Sequence, residues 1–140
     1  MGSLRHPELR SRTGAVVAAG VLLLVAGCTV QTSHAPPAGT ATLRWSIRGA
    51  FDPGDCYAYA AATMQILVYD SDGAYLEDIE ASCTAFGTTT ALDAGWYSAT
   101  MQLLDAAGRP VSTLLDTSSF DVHPATDVLI DTDFPDSSFY

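Results

Sequence analysis

An all-β fold, arranged as a single antiparallel β-sandwich of about seven strands with one short helical segment, is predicted by three features of this 140-residue chain. Apolar and polar residues alternate with period two in some segments, and continuous β-branched and aromatic runs of strand length occur in others. Aspartate-first, glycine-fourth turn signals separate them at regular intervals. The region carrying this pattern, residues 40–140, has the size at which one hydrophobic core forms and two do not.

Residues 1–27 stand apart from that pattern. Arg5, Arg10 and Arg12 make a basic start, Gly14 to Ala26 form an apolar run, and the run closes as Leu24-Val25-Ala26-Gly27-Cys28. A basic start, a short apolar stretch and small residues at a cleavage point are the three parts of an export signal. A membrane-spanning helix needs about 20 apolar residues, and this run stops short in a glycine, a cysteine and then polar Thr29 and Gln31. With the cysteine directly after the small residues, the segment resembles the lipobox of bacterial lipoproteins. The resemblance implies a signal peptide over 1–27 and a Cys28 whose thiol carries a diacylglycerol. It further implies the membrane as the partner of the lipid anchor, and the cell envelope, periplasmic or surface-exposed, as the location. Two or three acyl chains hold a protein on a bilayer where one does so only marginally. The competing reading is an ordinary secretory signal with a cysteine at the cut.

Residues 28–39 read as the lipidated cysteine and a flexible tether, because Thr29 to Gly39 combine small polar residues with Pro36-Pro37. Fully extended, that stretch would reach about 35 Å. His34 within it has no neighbours that could complete a ligand set and reads as a solvated linker residue. Removing the signal leaves Arg44, Arg48 and Arg109 against fifteen acids, a net charge of about −12, with no lysine anywhere. A surface of that sign has no basic patch for nucleic acid, and that partner class is set aside.

From residue 40 onward the elements follow in order. Leu43, Trp45 and Ile47 alternate with Arg44, Ser46 and Arg48, the pattern of a half-buried strand. Asp52-Pro53 then supplies a cap and a first helical residue for one or two helical turns through Ala62. Ile66 to Tyr69 form an interior strand, and Tyr75 to Ile79 and Phe86 to Leu92 are weaker strand candidates. Tyr97, Ala99, Met101 and Leu103 alternate with Ser98, Thr100 and Gln102, Leu114 to Val122 read as one further strand, and Val128 to Ile130 as the last. Asp70-Ser71-Asp72-Gly73 and Asp105-Ala106-Ala107-Gly108 are expected as type I turns closed by glycine, and Asp93-Ala94-Gly95 as a third hairpin connection.

The segment Leu92-Asp93-Ala94-Gly95-Trp96-Tyr97, followed by Asp105-Ala106-Ala107-Gly108-Arg109-Pro110-Val111, resembles the hairpin and following turn of transthyretin-like and collagen-adhesin B-type domains. The resemblance implies an immunoglobulin-like sandwich. The chain as a whole also resembles uncharacterised bacterial lipoproteins, which implies no activity. Some adhesin domains carry an intramolecular isopeptide bond that needs a lysine, and this chain has none.

With Cys28 lipidated, Cys56 and Cys83 remain, and in an exported chain they are expected to form a disulfide. A metal pair would require more ligands than His123, the only histidine of the predicted domain, can add. No G-x-S-x-G, H-E-x-x-H or P-loop pattern is present, so the expectation is a protein that is not an enzyme and uses no cofactor. Asp70, Asp72, Glu77 and Asp78 form a weak calcium candidate, but the glycine falls two positions early for an EF-hand and the hairpin already explains Asp70. Asp131, Asp133 and Asp136 are read as charges that keep a terminal strand soluble. Trp96 and Tyr97 must face opposite ways on a strand. Tyr97 is assigned to the core, and Trp96 either to an exposed ligand contact or to cover by a loop.

Two roles stay open on this basis. One is a non-catalytic structural or protein-interaction module of the envelope. The other is a glycan or small-ligand binding sandwich with Trp96 and nearby tyrosines as its platform.

Overall fold

The computed structural model describes residues 37–140, so the signal region, Cys28 and His34 lie outside the described residues. The chain runs β1 (Ala38–Ile47), α1 (Pro53–Ala58), β2 (Thr63–Asp70), β3 (Tyr75–Ser82), β4 (Gly87–Asp93), β5 (Gly95–Leu104), β6 (Leu115–Asp116), β7 (Phe120–Val122) and β8 (Asp127–Phe134). Short 3₁₀ turns occupy Cys83–Ala85 and Asp136–Ser138. One sheet has the order β4-β1-β8; the other has the order β3-β2-β5-β6, with β7 also pairing β5. This is the expected all-β sandwich with one short helix.

Four details depart from the sequence reading. The strand expected over residues 114–122 is two short ones, because Thr117 leaves the ladder: its hydroxyl accepts the Ala99 N–H at 3.0 Å where a carbonyl would otherwise do so. Asp93-Ala94-Gly95 is not a hairpin, since β4 pairs β1 and β5 pairs β2, and the turn carries the chain from one sheet to the other. The β1–β8 pair is parallel, which a local turn could not produce but which two strands from opposite ends of the sequence can adopt. Ala38 and Gly39, assigned above to the tether, pair with Asp93 and Leu92 and belong to the sheet. A Cβ on Gly39 would lie 2.2 Å from the carbonyl oxygen of His123, so glycine is required where the segment after β7 crosses β1.

The core lies between the sheets. β1 contributes Leu43, Trp45 and Ile47, β2 contributes Met64, Ile66 and Val68, β5 contributes Met101 and Leu103, and Phe134 enters from β8, all fully buried. These are the period-two residues of each strand, so the alternation in the sequence is the inside–outside alternation of the sheets. Tyr97 is inward as expected, and its hydroxyl donates to the Asp93 carbonyl at 2.8 Å, closing the corner between β4 and β5. A tyrosine bonded back to the backbone a few residues upstream is the tyrosine corner of immunoglobulin-type sandwiches. Burial pushes its phenol above the usual value.

The expected cap of α1 is present, with the Asp52 carboxylate accepting the Gly54 N–H at 2.8 Å and Pro53 at the first helical position. Cys56 on α1 and Cys83 form a disulfide with Cα atoms 6.1 Å apart, both cysteines fully buried. The Trp45 indole donates to the Cys83 carbonyl at 2.9 Å, which ties the bridge to β1. At the other end of α1, Tyr59 stacks on Phe139, donates to Asp136 and lies near Arg48, which is ion-paired with buried Asp55. No helix of the described residues is long and apolar enough to cross a membrane.

Candidate functional site

The outer face of the five-stranded sheet collects the exposed residues that the core does not use. On β5 the inward set is Tyr97, Ala99, Met101 and Leu103, so Trp96, Ser98, Thr100 and Gln102 face outward. Strand register then sets what lies beside each. Trp96 pairs with Asp121 of β7; Ser98 pairs with Tyr69 of β2, and Tyr69 with Tyr75 of β3. The next row across the face is Asp78, Leu67, Thr100 and Asp116, and the one after it is Glu80, Gln65 and Gln102.

Three aromatic side chains on neighbouring strands thus share one face. Trp96 is 58% exposed and Tyr75 57%, while Tyr69 between them is half-buried with its ring centroid 6.3 Å from that of Tyr75. Trp96 is the diagonal neighbour of Tyr69, a spacing of about 7–8 Å between backbones that large rings can bridge. A β-bulge between Val68 and Tyr69 sets Tyr75 opposite Tyr69 and leaves Leu76 as the additional residue. The hairpin that holds them is over-determined: Gly73, at φ 78°, closes the turn onto the Asp70 carbonyl, and the Asp70 carboxylate accepts the N–H groups of Asp72 at 2.9 Å and Ala74 at 2.8 Å.

Polar groups surround the rings. The Gln65 amide donates to Asp78 at 3.1 Å and the Gln102 amide to the Ser112 carbonyl at 2.9 Å, which fixes both amides and leaves their carbonyl oxygens as acceptors. Asp121 lies 3.3 Å from the His123 imidazole, a pair that is ionic only when the histidine is protonated. The Tyr69 and Tyr75 rings meet edge to face at 69°, and a depression of about 490 Å³ lies elsewhere, lined by Ala38, Thr40, Ala91 and Thr126.

Of the two readings of Trp96, cover by a loop is not what the structure has: most of its surface is open. Its partners Tyr69 and Tyr75 were legible only as nearby tyrosines, although their placement on either side of the Asp70–Gly73 turn is the signal that would have paired them. Cys56 and Cys83 meet as expected. The calcium candidates do not converge. Asp78 stands on the outer face opposite Leu67, Glu77 stands on the inner side opposite Val68 and accepts from Thr90 at 2.9 Å, and Asp70 is occupied within its own turn. Among the described residues no group of three or more acids, histidines and cysteines is placed to hold a metal ion.

No protein-family model matches the chain, and no curated protein sequence matches it. Similarity to solved structures is low in sequence. An adhesin candidate from Bacteroides ovatus is 15% identical at a TM-score of 0.44, over 68% of this chain and 45% of that one. An adhesin candidate from Bacteroides thetaiotaomicron is 13% identical at 0.42, over 69% and 45%. A candidate polysaccharide-binding protein from the same organism is 10% identical at 0.40, over 66% and 46%. The chain spans less than half the length of each of these three.

Proposed function

We propose that this protein is a lipid-anchored, non-catalytic module of the bacterial cell envelope that holds a glycan against the outer face of its five-stranded sheet. The observation that carries the reading is the aromatic row Trp96, Tyr69 and Tyr75 on three adjacent strands, exposed at both ends and half-buried at Tyr69, with the Ser98 and Thr100 hydroxyls beside it and the Gln65 and Gln102 amides two rows along. A pyranose ring presents an apolar face of C–H groups and a rim of hydroxyls. The first stacks on an exposed aromatic ring, whose amphipathic body suits a surface that is apolar on one side and wet on the other, and the second takes hydrogen bonds from a polar surround. Adjacent strands are about 4.8 Å apart, so the three rings span roughly 10 Å of backbone and suit a chain of sugars better than a single one.

A protein-contact role would draw on the sheet edges instead. Among the described residues β3, β4 and β8 are long edge strands: β3 and β8 carry Glu77, Asp78 and Glu80 and Asp127, Asp131 and Asp133, charges that oppose pairing with another strand, whereas β4 carries no charge before Asp93 and is the edge such a role would use. Anchoring is supported by the Leu24–Cys28 segment alone. Lipid label should enter the wild type and not Cys28→Ala, and a wild-type chain in the soluble fraction with an unmodified Cys28 would remove the anchor from the proposal.

Binding is tested by retention of the mature chain on an immobilised glycan panel. Trp96→Ala and Tyr75→Ala should each weaken retention by about tenfold or more, the scale of losing an aromatic anchor, with the melting temperature unchanged. Retention that survives both substitutions, or none in the wild type, would overturn it.

A further inference from the structure

The chemical class of the glycan is inscribed in the charges that flank the rings. Asp121 stands beside Trp96 on one side of the row; Asp78 and Asp116 form the next row on the other side, with Glu80 beyond. Among the described residues Asp78 accepts from the Gln65 amide and Asp121 faces the His123 imidazole, while no arginine meets Asp116 or Glu80. The chain has no lysine, and each of the three arginines among the described residues is bonded to a carboxylate elsewhere. Arg44 is held by Asp131 on the opposite sheet, Arg48 by Asp55 beside the helix, and Arg109 by Asp105 at the turn beyond the far end of β5 from Trp96. Among the described residues the basic group near the row is the His123 imidazole against Asp121.

We infer that the glycan held here carries free amino groups, as in a de-N-acetylated amino-sugar polymer. The inference rests on the glycan reading above and narrows it. An anionic polysaccharide meets a face of its own sign and is repelled. A neutral one gains only the stacking. A protonated amino sugar gains the stacking, a cation–π attraction to the indole of Trp96, one carboxylate, Asp121, a strand spacing from the ring, and further carboxylates two rows along the face. Exposed ion pairs are individually weak, so each carboxylate should contribute up to about fivefold in affinity.

The test uses the mature, anchored chain in mild detergent, with four probes: an N-acetylglucosamine oligomer, the glucosamine oligomer of equal length, a uronic acid oligomer and an oligolysine. The glucosamine oligomer should bind roughly five- to twenty-fivefold more tightly than the acetylated one at low salt, and the uronic acid oligomer should not bind. That advantage should shrink at about 1 M salt, where the screening length is about 3 Å. It should also vanish in Asp116→Asn/Asp121→Asn, read as the ratio of the two affinities in that variant. Equal binding of the two glucosamine-based oligomers by the wild type would overturn the inference while leaving the glycan reading intact. So would oligolysine binding as tightly as the glucosamine oligomer and indifferent to Trp96→Ala, because charge alone would then be at work. Binding of neither sugar, or of both but untouched by Trp96→Ala, would instead defeat the glycan reading itself.

Discussion

The outer faces of the two sheets are both acidic, and they dispose of their acids in opposite ways. On the three-stranded sheet every outward acid of β8 meets a donor supplied by β1 or its following turn. Asp127 accepts from Thr40 at 2.7 Å and Thr42 at 3.0 Å. Asp131 takes a two-pronged bond from Arg44 at 2.5 and 2.8 Å, and Asp133 accepts from Ser46 and from the Gly49 N–H, both at 2.7 Å. The parallel register makes this possible, because it sets Thr40 beside Asp127, Arg44 beside Asp131 and Ser46 beside Asp133. On the five-stranded sheet Asp116 and Glu80 stand on a face with no arginine among the described residues to meet them, and the large exposed side chains of the sheet are Trp96, Tyr75 and Leu76. One face completes itself. The other leaves Asp116 and Glu80 without a basic partner, and under the proposed function the same residue type serves architecture in the first and recognition in the second.

If that division is real, the largest losses of stability should come from the packed layer and its links to the three-stranded sheet, and none from the open face. Cys56→Ala/Cys83→Ala opens a bridge spanning 27 residues of sequence. The chain-entropy cost of that loop is about 3.5 kcal/mol, equivalent to roughly 15–25 °C in melting temperature for a domain of this size. Calorimetry should show that fall, while glycan retention measured in the cold persists. A comparable fall in Trp96→Ala would break the comparison, because it would make the open face structural.

Two consecutive residues sharpen it further. Tyr97→Phe removes the hydroxyl that holds the Asp93 carbonyl and should cost about 1 kcal/mol of stability, with retention unaltered. Trp96→Ala should do the reverse. Thermal scans and retention assays on both variants give a crossed pattern if the faces are independent, and a shared defect in either assay would show that they are coupled.

What the sequence disclosed follows the same line. Period-two alternation located β1 and β5 and separated Tyr97 from Trp96, because burial on one face is a local property that each strand records by itself. The Asp-x-x-Gly signals located the turns after β2 and β5 for an equally local reason, a carboxylate bonding to the next N–H groups. Sheet membership is not local. Nothing between Asp93 and Gly95 says that the strands on either side pair with different neighbours, and nothing near Asp127 says that β1 lies beside it, 87 residues away. The aromatic row is partly legible for the same cause: Tyr69 and Tyr75 flank one turn, whereas their meeting with Trp96 depends on the β2–β5 register.

A smaller effect is expected from pH, and it should come from the acids with partners. The Arg44 guanidinium bonded to Asp131 holds that carboxyl below its ordinary range. The Arg109 backbone N–H, followed by its guanidinium, does the same for Asp105. Folded values below the unfolded one, about 3.9, mean that these groups stabilise fully above that pH and lose their contribution as pH falls through the folded values. Urea midpoints measured from about pH 6 down to about pH 2 should therefore decline, and Asp105→Asn/Asp131→Asn should flatten the acid end of the curve. An unchanged profile in that variant would mean that the paired acids contribute nothing, which would erase the contrast from the structural side.

The smallest expected effect is also the one that separates the faces most directly, since it makes the same chemical change on each. Asp131→Asn removes half of a two-pronged bond and leaves Arg44 without its anion, so the melting temperature should fall slightly. Asp116→Asn/Glu80→Gln removes like charges that share a face with Asp78 and Asp121. Neighbouring strands bring such charges within a screening length of one another, so the repulsion between them is felt at low salt. The melting temperature should then stay level or rise slightly at low salt, and the gain should disappear at high salt. Opposite signs for the two substitutions, measured in one low-salt buffer, are what a self-completed face and an uncompensated face require. A fall of similar size in both would mean that Asp116 and Glu80 have structural partners after all, and the argument that the acids of this face await a cationic ligand would lose its footing.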